Sequence, residues 1–220
     1  MPQHPTPIAD QAAELRQAAA GHLPADVNAI FEAERERLIG RAVPSNVAAP
    51  GTQMPDGDLL DVHGEPTTLT AARAGRPAVV IFYRGAWCPY CNLTLRTYQT
   101  ALVDELDARG ITLVAVSPQK PDGSLSTAEK NDLTYPVVSD PGNQIAKQLG
   151  IVFTLGDEAR TAQTKLGLDL TQANIDGTAD LPLTTAVLVD ASGTIRWIDV
   201  RPDYTTRTEP AEILAAADTL

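Results

Sequence analysis

Residues 77–98 constrain the fold more than any other stretch of this sequence. The segment 78–83 (Ala-Val-Val-Ile-Phe-Tyr) is apolar and rich in β-branched and aromatic side chains, which is typical of a strand buried inside a sheet. A short turn follows, and then Cys88 and Cys91 stand three positions apart at the start of a helical pattern. They are the only two cysteines in the chain. We therefore expect a strand–turn–helix unit that presents a cysteine pair at the carboxyl end of the strand.

Paired cysteines at a helix start favour redox chemistry. A cysteine in the first helical turn faces unpaired backbone N–H groups and the positive end of the helix dipole. Both stabilise the thiolate, so we expect a thiol pKa below the free value of about 8.5. The spacing of Cys88 and Cys91 brings their Cα atoms within the roughly 4.4–6.8 Å that a disulfide tolerates. One sulfur can then attack a substrate while the other resolves the mixed species, and Trp87 is expected to shield the site.

Two other uses of the cysteine pair match the sequence less well. A structural zinc site normally takes four ligands, and the chain offers only His4, His22 and His63, scattered singly, to complete one. Two inert buried cysteines are the second alternative, but the strand–turn–helix context favours reactive thiols. We therefore expect redox-active cysteines with no bound metal and no cofactor.

The charge balance limits the partners. The chain has 220 residues and a net charge of −11, which argues against nucleic acid or an anionic membrane as a partner, since both require a basic patch. No apolar run approaches the roughly 18 residues that span a bilayer, and the first residues lack the basic-then-apolar pattern of a signal peptide. We expect a cytoplasmic protein, in which a C-x-x-C pair indicates redox work rather than a structural disulfide.

The sequence divides into an N-terminal helical extension, residues 1–45, and one domain, residues 46–220. Apolar residues recur at helical spacing over residues 8–21 and again over residues 26–40, which predicts a helical hairpin. Residues 44–55 have the composition of a linker. We expect the hairpin to pack over the domain, and the alternatives are a contact in a homodimer or a lid near the cysteines.

The domain follows an α/β pattern. The helix at the cysteines is expected to end near Ala108, and residues 111–116 form a second apolar strand, so that two strands and a helix make a parallel βαβ unit. The cysteines then lie at the carboxyl edge of the sheet, where open α/β sheets place their active sites. These elements predict an α/β fold with a central mixed sheet flanked by helices. The other predicted elements are a hairpin at 59–69, a helix at 124–133 with a capping box from Ser126 to Glu129, a strand at 135–138, helices at 143–149 and 157–166, a surface loop at 169–180, a hairpin at 186–199 and a terminal helix at 209–220.

The order and spacing of several segments carry a family resemblance. These segments are Phe82-Tyr-Arg-Gly-Ala-Trp-Cys-Pro-Tyr-Cys91, Leu113-Val-Ala-Val-Ser-Pro118, Tyr135-Pro-Val-Val-Ser-Asp140, and Val187-Leu-Val-Asp190 with Gly193-Thr-Ile-Arg196. With them the sequence resembles the alkyl hydroperoxide reductase and thiol-specific antioxidant (AhpC/TSA) family, which comprises peroxiredoxin-like proteins with a thioredoxin-like fold. The resemblance covers residues 46–219. It implies a thioredoxin-like domain behind the helical extension, and an enzyme that reduces hydroperoxides and is recharged by a thioredoxin- or glutathione-type electron donor.

The cysteine motif departs from the family pattern. Aligned from the aromatic pair ahead of it, the family's peroxide-reactive cysteine falls on Cys91, its Thr or Ser on Cys88 and its Pro on Arg84. By analogy with peroxiredoxins, Cys91 reacts with peroxide; by analogy with thioredoxins, Cys88 is exposed and attacks first. The helix dipole favours Cys88, the more N-terminal residue, as the expected nucleophile. With no third cysteine, Cys88 pairs with Cys91 or with an external thiol.

Other supporting residues follow from the same comparison. Where the family carries an Arg ahead of the late strand, and thioredoxins a cis-proline, this sequence has Thr184 followed by Thr185. Arg84 either stabilises a thiolate or is a solvated arginine at a strand end. Arg96 is expected on the surface. Arg201 follows the last predicted strand and is a candidate to reach the cysteines.

Three functions fit the cysteine pair. The first is reduction of hydroperoxides through a Cys88–Cys91 dithiol/disulfide cycle. The second is a protein disulfide reductase of the thioredoxin or glutaredoxin type, since Trp-Cys-x-x-Cys is intact and many glutaredoxins carry Pro-Tyr between their cysteines. The third is a redox sensor without turnover, in which the helical hairpin moves when the disulfide forms.

Overall fold

The computed structural model describes residues 6–220. Within this range the helices are α1 (Ile8–His22), α2 (Ala25–Arg41), α3 (Leu69–Ala72), α4 (Pro89–Ala108), α5 (Pro121–Lys130), α6 (Gln144–Gln148), α7 (Asp157–Lys165), α8 (Leu170–Ala173) and α9 (Pro210–Ala217). The strands are β1 (Leu59–Leu60), β2 (Pro66–Thr67), β3 (Ala78–Phe82), β4 (Thr112–Ser117), β5 (Val137–Ser139), β6 (Val152–Thr154), β7 (Asp180–Pro182), β8 (Thr184–Val189) and β9 (Ile195–Arg201). None of the helices in this part of the chain has both the length and the apolar character that crossing a bilayer requires.

Seven of the strands in residues 6–220 form one mixed sheet in the order β2-β1-β5-β4-β3-β8-β9. The central strands β3, β4 and β5 run parallel, whereas β8 and β9 add to β3 in antiparallel fashion. The parallel β3–α4–β4 unit is the one that the apolar segments predict. The mixed sheet with helices around it confirms the predicted α/β class, and the cysteines lie at the carboxyl end of β3.

The strand β3 is buried on both faces, and its side chains divide between two cores. Val80 and Phe82 join one cluster, together with side chains from the segment 145–183. Val79 and Ile81 join the other cluster, which lies under α4. Because both faces exclude water, the strand is apolar throughout instead of alternating between apolar and polar residues.

The helix α4 positions the cysteines. It begins at Pro89, whose missing N–H is harmless in the first helical turn. Leu95 and Leu102 recur at helical spacing and are fully buried against the sheet. Tyr98 is buried beside them and donates a hydrogen bond to the Thr208 carbonyl oxygen (2.6 Å). This bond holds the segment that precedes α9 against α4.

The helices α1 and α2 form a hairpin that packs on the domain. Ile8 is buried in the cluster under α4, and the backbone N–H groups of Ile8 and Ala9 donate to the Glu209 carboxylate at 3.0 and 2.8 Å. The same carboxylate caps the start of α9, so one side chain closes two helix N-termini. Arg35 of α2 pairs with Asp203 at 2.8 Å, which ties the second helix to the loop after β9.

The predicted helices of the extension agree closely with α1 and α2. The boundary between an extension of residues 1–45 and a domain of residues 46–220 stays a prediction. Residues 1–5, which include His4, lie outside the described range.

Two predictions in the second half of the chain are wrong. Residues 169–180 are not a surface loop, because they contain α8 and the start of β7, which pairs with β6 in a separate two-stranded sheet. Leu170 and Leu181 of this region are buried in the core. The capping box from Ser126 to Glu129 does not form, because α5 begins earlier, with Pro121 at its first position. Pro121 fixes φ for helix entry and therefore determines where the helix starts.

Replacing Leu181 with Ala tests whether the 151–182 region belongs to the core. Leu181 is 0% exposed, so Leu181→Ala should lower the free energy of unfolding by about 2–5 kcal/mol, through lost transfer energy and the cavity left behind. Leu166→Ala is the matched control, since Leu166 is 48% exposed and should change stability by less than about 0.5 kcal/mol. Chemical denaturation of the two variants makes the comparison, and equal losses would contradict the core assignment.

Candidate active site

The turn between β3 and α4 is built around the Trp87 indole. Gly85 adopts a φ of +149°, a conformation that favours glycine, and a Cβ there would collide with the Trp87 ring. The Gln119 side-chain oxygen accepts the Ala86 N–H (2.7 Å), and the Asn92 side-chain amide donates to the Ala86 carbonyl oxygen (2.7 Å). Hydrogen bonds from two side chains therefore hold the turn, and this fixes the position of the start of α4 and of the cysteines there.

Cys88 is the N-cap residue of α4, Cys91 lies in the first turn of that helix, and both are free thiols. The Cys88 carbonyl oxygen accepts the Cys91 N–H at 3.0 Å, which closes the turn between them. Each residue is 1% exposed, so the expectation that Cys88 is exposed is wrong. The reason is that Cys88 lies at the wall of a cleft that Trp87 and residues of the N-terminal hairpin also line, so its side chain is covered from the surrounding solvent.

A buried arginine faces the second cysteine. Arg207 is 8% exposed, and its Nη2 donates to the Cys91 sulfur at 3.3 Å. Its Nη1 donates to the carbonyl oxygens of Tyr204 and Thr206. The backbone of the loop after β9 thus holds the guanidinium in place, and the sulfur faces a fixed positive charge.

The two thiols differ in acidity. Burial opposes ionisation of Cys91, but its hydrogen bond with Cys88 and the charges of Arg207 and Arg84 outweigh burial and lower the pKa of Cys91 well below that of a free cysteine. Burial raises the pKa of Cys88, and the neighbouring Cys91 raises it further. The Arg207 contact and these shifts favour ionisation of Cys91 over ionisation of Cys88.

A small cavity adjoins Cys91 on the side away from the cleft. Its volume is about 10 Å³, roughly the space of one water molecule, and Thr184, Thr185 and Arg207 line it together with Cys91. The Thr185 hydroxyl donates to the Leu183 carbonyl oxygen at 2.9 Å. The structure therefore brings Thr184 and Thr185, identified from the sequence, to the same space as the Cys91 sulfur.

Arg84 is buried beside the cysteines. It is 4% exposed, so the alternative of a solvated arginine is wrong. Its guanidinium carbon lies 4.9 Å from the centre of the Trp87 ring and 4.5 Å from that of the Tyr204 ring, within cation–π range of both. Two aromatic faces thus hold a positive charge close to both sulfurs.

Of three further arginines, only one contacts a cysteine. Arg96 is exposed, as expected. Arg201 does not reach the cysteines, because its guanidinium pairs with Asp199 (2.6 Å) and Glu212 (3.0 Å). Arg207, which does reach Cys91, was not identified from the sequence.

Two site residues were therefore missed. Arg207 stands in a polar loop, Asp203-Tyr-Thr-Thr-Arg-Thr208, whose pattern carries no sign that an arginine is buried. Gln119 stands two residues after the end of β4, at the same sheet edge as the cysteines, and that position is the signal that could have identified it. Within residues 6–220, no cluster of three or more His, Cys, Asp or Glu side chains is arranged to hold a metal ion.

Comparison with known sequences identifies related proteins. The model of the AhpC/TSA family matches residues 50–198. The peroxiredoxin Bcp of Escherichia coli is 31% identical over 101 residues, which are 46% of this chain and 64% of that relative. A Haemophilus influenzae protein that carries the peroxiredoxin Bcp name is 31% identical over 109 residues, 48% of this chain and 67% of the relative. The matches thus span about two thirds of the length of these relatives.

Solved structures share the fold. Reduced Prx3 of Vibrio vulnificus in complex with hydrogen peroxide has a TM-score of 0.61 at 19% identity, covering 78% of this chain and 99% of that one. Peroxidoxin BcpB of Mycobacterium tuberculosis has a TM-score of 0.59 at 19% identity, covering 78% and 97%. The predicted thioredoxin-like fold is confirmed. The hairpin α1–α2 and Arg207 both lie outside the segment that the family model matches.

Removing the Arg207 charge should raise the pKa of Cys91. In a Cys88→Ser background, Arg207→Met should move the pH profile of iodoacetamide alkylation to higher pH and slow alkylation at pH 7 by about tenfold. Arg201→Met is the matched control, because Arg201 pairs with carboxylates and does not contact the sulfur. An unchanged profile in Arg207→Met, or an equal shift in Arg201→Met, would show that the contact does not stabilise the thiolate.

Proposed function

The chain belongs to the AhpC/TSA family, and on that basis we propose that it is a thiol peroxidase that reduces hydroperoxides through a Cys88–Cys91 dithiol/disulfide cycle. The single observation that carries the proposal is the Arg207 Nη2–Cys91 Sγ contact of 3.3 Å beside a small cavity. A thiolate held by a guanidinium in a confined space suits attack on a small electrophile such as a peroxide oxygen.

Cys91, and not Cys88, is the proposed peroxide-reactive residue. This reverses the expectation from the helix dipole alone. The dipole acts on both residues at the start of α4, whereas the arginine contact distinguishes them and favours ionisation of Cys91. The assignment agrees with the alignment to peroxiredoxins, in which the reactive cysteine falls on Cys91 and a hydroxyl residue falls on Cys88.

The first step oxidises Cys91. The thiolate attacks the terminal oxygen of the hydroperoxide, the O–O bond breaks, and the departing alkoxide takes a proton and leaves as an alcohol, or as water when the substrate is hydrogen peroxide. The product is a sulfenic acid on Cys91. Arg207, Thr184 and Thr185 border the space where the charge on oxygen develops.

The second step uses Cys88. Its sulfur attacks the sulfur of the Cys91 sulfenic acid, water leaves, and a Cys88–Cys91 disulfide forms. Spacing of one helical turn places the two sulfurs for this reaction without a distant resolving cysteine. Two thiols of a thioredoxin- or glutathione-type donor then restore the dithiol. In this scheme Arg84 supports the thiolate electrostatically, and Trp87 shields the pair from solvent.

The other two functions stay alternatives. A protein disulfide reductase needs a nucleophile that a folded partner can reach, and each cysteine is 1% exposed. A redox sensor would use the same disulfide without turnover. The cytoplasmic location and a homodimer stay predictions, as do the absence of nucleic acid and membrane partners.

Peroxide treatment of single-cysteine variants tests the proposal. Wild type should lose both thiols to a disulfide, while Cys88→Ser should stop at a sulfenic acid on Cys91 that dimedone traps. In Cys91→Ser the remaining thiol, Cys88, should react with peroxide at least about 30-fold more slowly than Cys91 does in wild type. The reason is that a thiol without a lowered pKa is at most a few per cent thiolate at neutral pH. Rapid-quench mass spectrometry with hydrogen peroxide measures these products.

Two outcomes would contradict the proposal. If Cys91→Ser reacts as fast as wild type, the assignment of the reactive sulfur is wrong. If millimolar peroxide leaves both thiols of wild type intact for many minutes, the peroxidase function itself is wrong.

A further inference from the structure

A second cavity lies on the Cys88 side of the site. Its volume is about 570 Å³, within the range of pockets that hold small molecules. Its walls come from the hairpin α1–α2 and from α7 with the loop that follows, and include Leu23, Phe31 and Leu168. Arg84 and Cys88 line it as well. We call this cavity the hairpin cleft.

The hairpin cleft contains a buried cation that has no carboxylate partner among the described residues. Arg84 is 4% exposed, its Nε has no hydrogen-bond acceptor, and no carboxylate pairs with it among residues 6–220. The Trp87 indole nitrogen beside it also lacks an acceptor. A buried donor or charge without a partner is costly, and a ligand that supplies the acceptor relieves that cost.

The acidic residues of the hairpin cleft are already paired. Glu34 forms a bidentate pair with Arg37 (2.6 Å for each bond), and Glu32 pairs with Arg35 at 3.0 Å. The charged group of the cleft that lacks an ion-pair partner is therefore the Arg84 guanidinium, and this favours a ligand that carries a carboxylate.

The redox state strengthens this preference. In the dithiol form, the Cys91 thiolate compensates part of the charge of Arg84 and Arg207. Formation of the Cys88–Cys91 disulfide removes that negative charge, and both guanidinium groups remain. The site is therefore most attractive to an anion in the state that has to be reduced.

We propose that the hairpin cleft binds the electron donor, and that this donor is an anionic low-molecular-weight thiol whose carboxylate pairs with Arg84 and whose sulfur meets Cys88. The proposal rests on the proposed function, since it concerns the reductive half of the same cycle. It separates the two substrates in space, with the peroxide at the small cavity beside Cys91 and the donor in the hairpin cleft beside Cys88.

The exchange reaction balances with two donor molecules. The donor thiolate attacks the Cys88 sulfur, the Cys88–Cys91 bond breaks, and Cys91 leaves as a thiolate. A second donor thiolate attacks the sulfur of the first donor, which releases the donor disulfide and a Cys88 thiolate that takes a proton. Cys91 suits the role of leaving group, because a thiol of low pKa leaves faster.

The hairpin disfavours a protein donor at the same sulfur. Tyr204 donates a hydrogen bond to the Phe31 carbonyl oxygen (3.1 Å), and Arg35 pairs with Asp203, so α2 is fastened beside the opening. Cys88 lies 1% exposed beneath this cover. A small thiol enters a cleft of this volume, whereas a folded donor protein has to displace the hairpin first.

Reduction of the preformed disulfide tests the donor site separately from peroxide chemistry. The full chain is oxidised with diamide, and the rate of dithiol recovery is measured with glutathione, glutathione diethyl ester and a thioredoxin. Glutathione should react about tenfold faster than the ester, because only the acid offers carboxylates to Arg84. Arg84→Gln should remove this preference.

A pair of matched variants tests the cleft itself. Ala19 lines the hairpin cleft, so Ala19→Trp should fill it and slow reduction by glutathione about tenfold or more. Ala20→Trp places the same side chain at an exposed position of α1 outside the cleft lining and should react like wild type. Circular dichroism of the two variants shows that both are folded.

The outcomes separate the two proposals. Equal rates for glutathione and its ester, an unaffected Ala19→Trp variant, or faster reduction by the thioredoxin would each overturn the donor proposal and leave the peroxidase proposal standing. A glutathione preference in a protein whose thiols do not react with peroxide would support the hairpin cleft as a thiol site and overturn the peroxidase function.

Discussion

The contact between the Cys91 sulfur and the Arg207 guanidinium is the interaction on which the rest of the site depends. A thiolate buried to 1% exposure is unfavourable unless positive charge and hydrogen bonds compensate for lost solvation. Arg207 supplies both, and it can do so because the carbonyl groups of its own loop and the Tyr98–Thr208 hydrogen bond hold that loop against α4. The long helix, the sheet beneath it and the C-terminal segment thus all serve to bring one sulfur and one cation together.

The elements that can be predicted from the sequence are those whose pattern of apolar residues directly reflects which of their faces are buried. β3 is apolar because both of its faces are covered, and α4 shows a single apolar stripe because only one face packs on the sheet. These two signals place Cys88 and Cys91 at a sheet edge. Family resemblance then places Thr184 and Thr185 opposite them, and the structure brings both to the cavity beside Cys91.

The rest could not be predicted because it depends on contacts between distant segments. β6 and β7 have three residues each, which is too short for an alternation of apolar and polar residues to be recognised. They are strands only because they pair with each other, and about 28 residues separate the paired positions. Arg207 stands in a polar loop, and only the folded chain shows that the loop turns its arginine inward. The proposed preference for Cys91 over Cys88 has the same origin: the helix dipole is a local property, whereas Arg207, which contacts Cys91, lies 116 residues further along the chain.

The distance along the chain between Cys91 and Arg207 also determines when their contact can form during protein synthesis. The ribosome releases Cys88 and Cys91 well before Arg207, and domains assemble as their segments emerge. Until the last segment docks, with Glu209 fastened to the first turn of α1 some 200 residues away, the nascent chain carries two thiols without the guanidinium that activates one of them. In the proposed mechanism, ionisation of Cys91 therefore becomes favourable only when the C-terminal segment has docked, so that completion of the chain and activation of the reactive sulfur coincide.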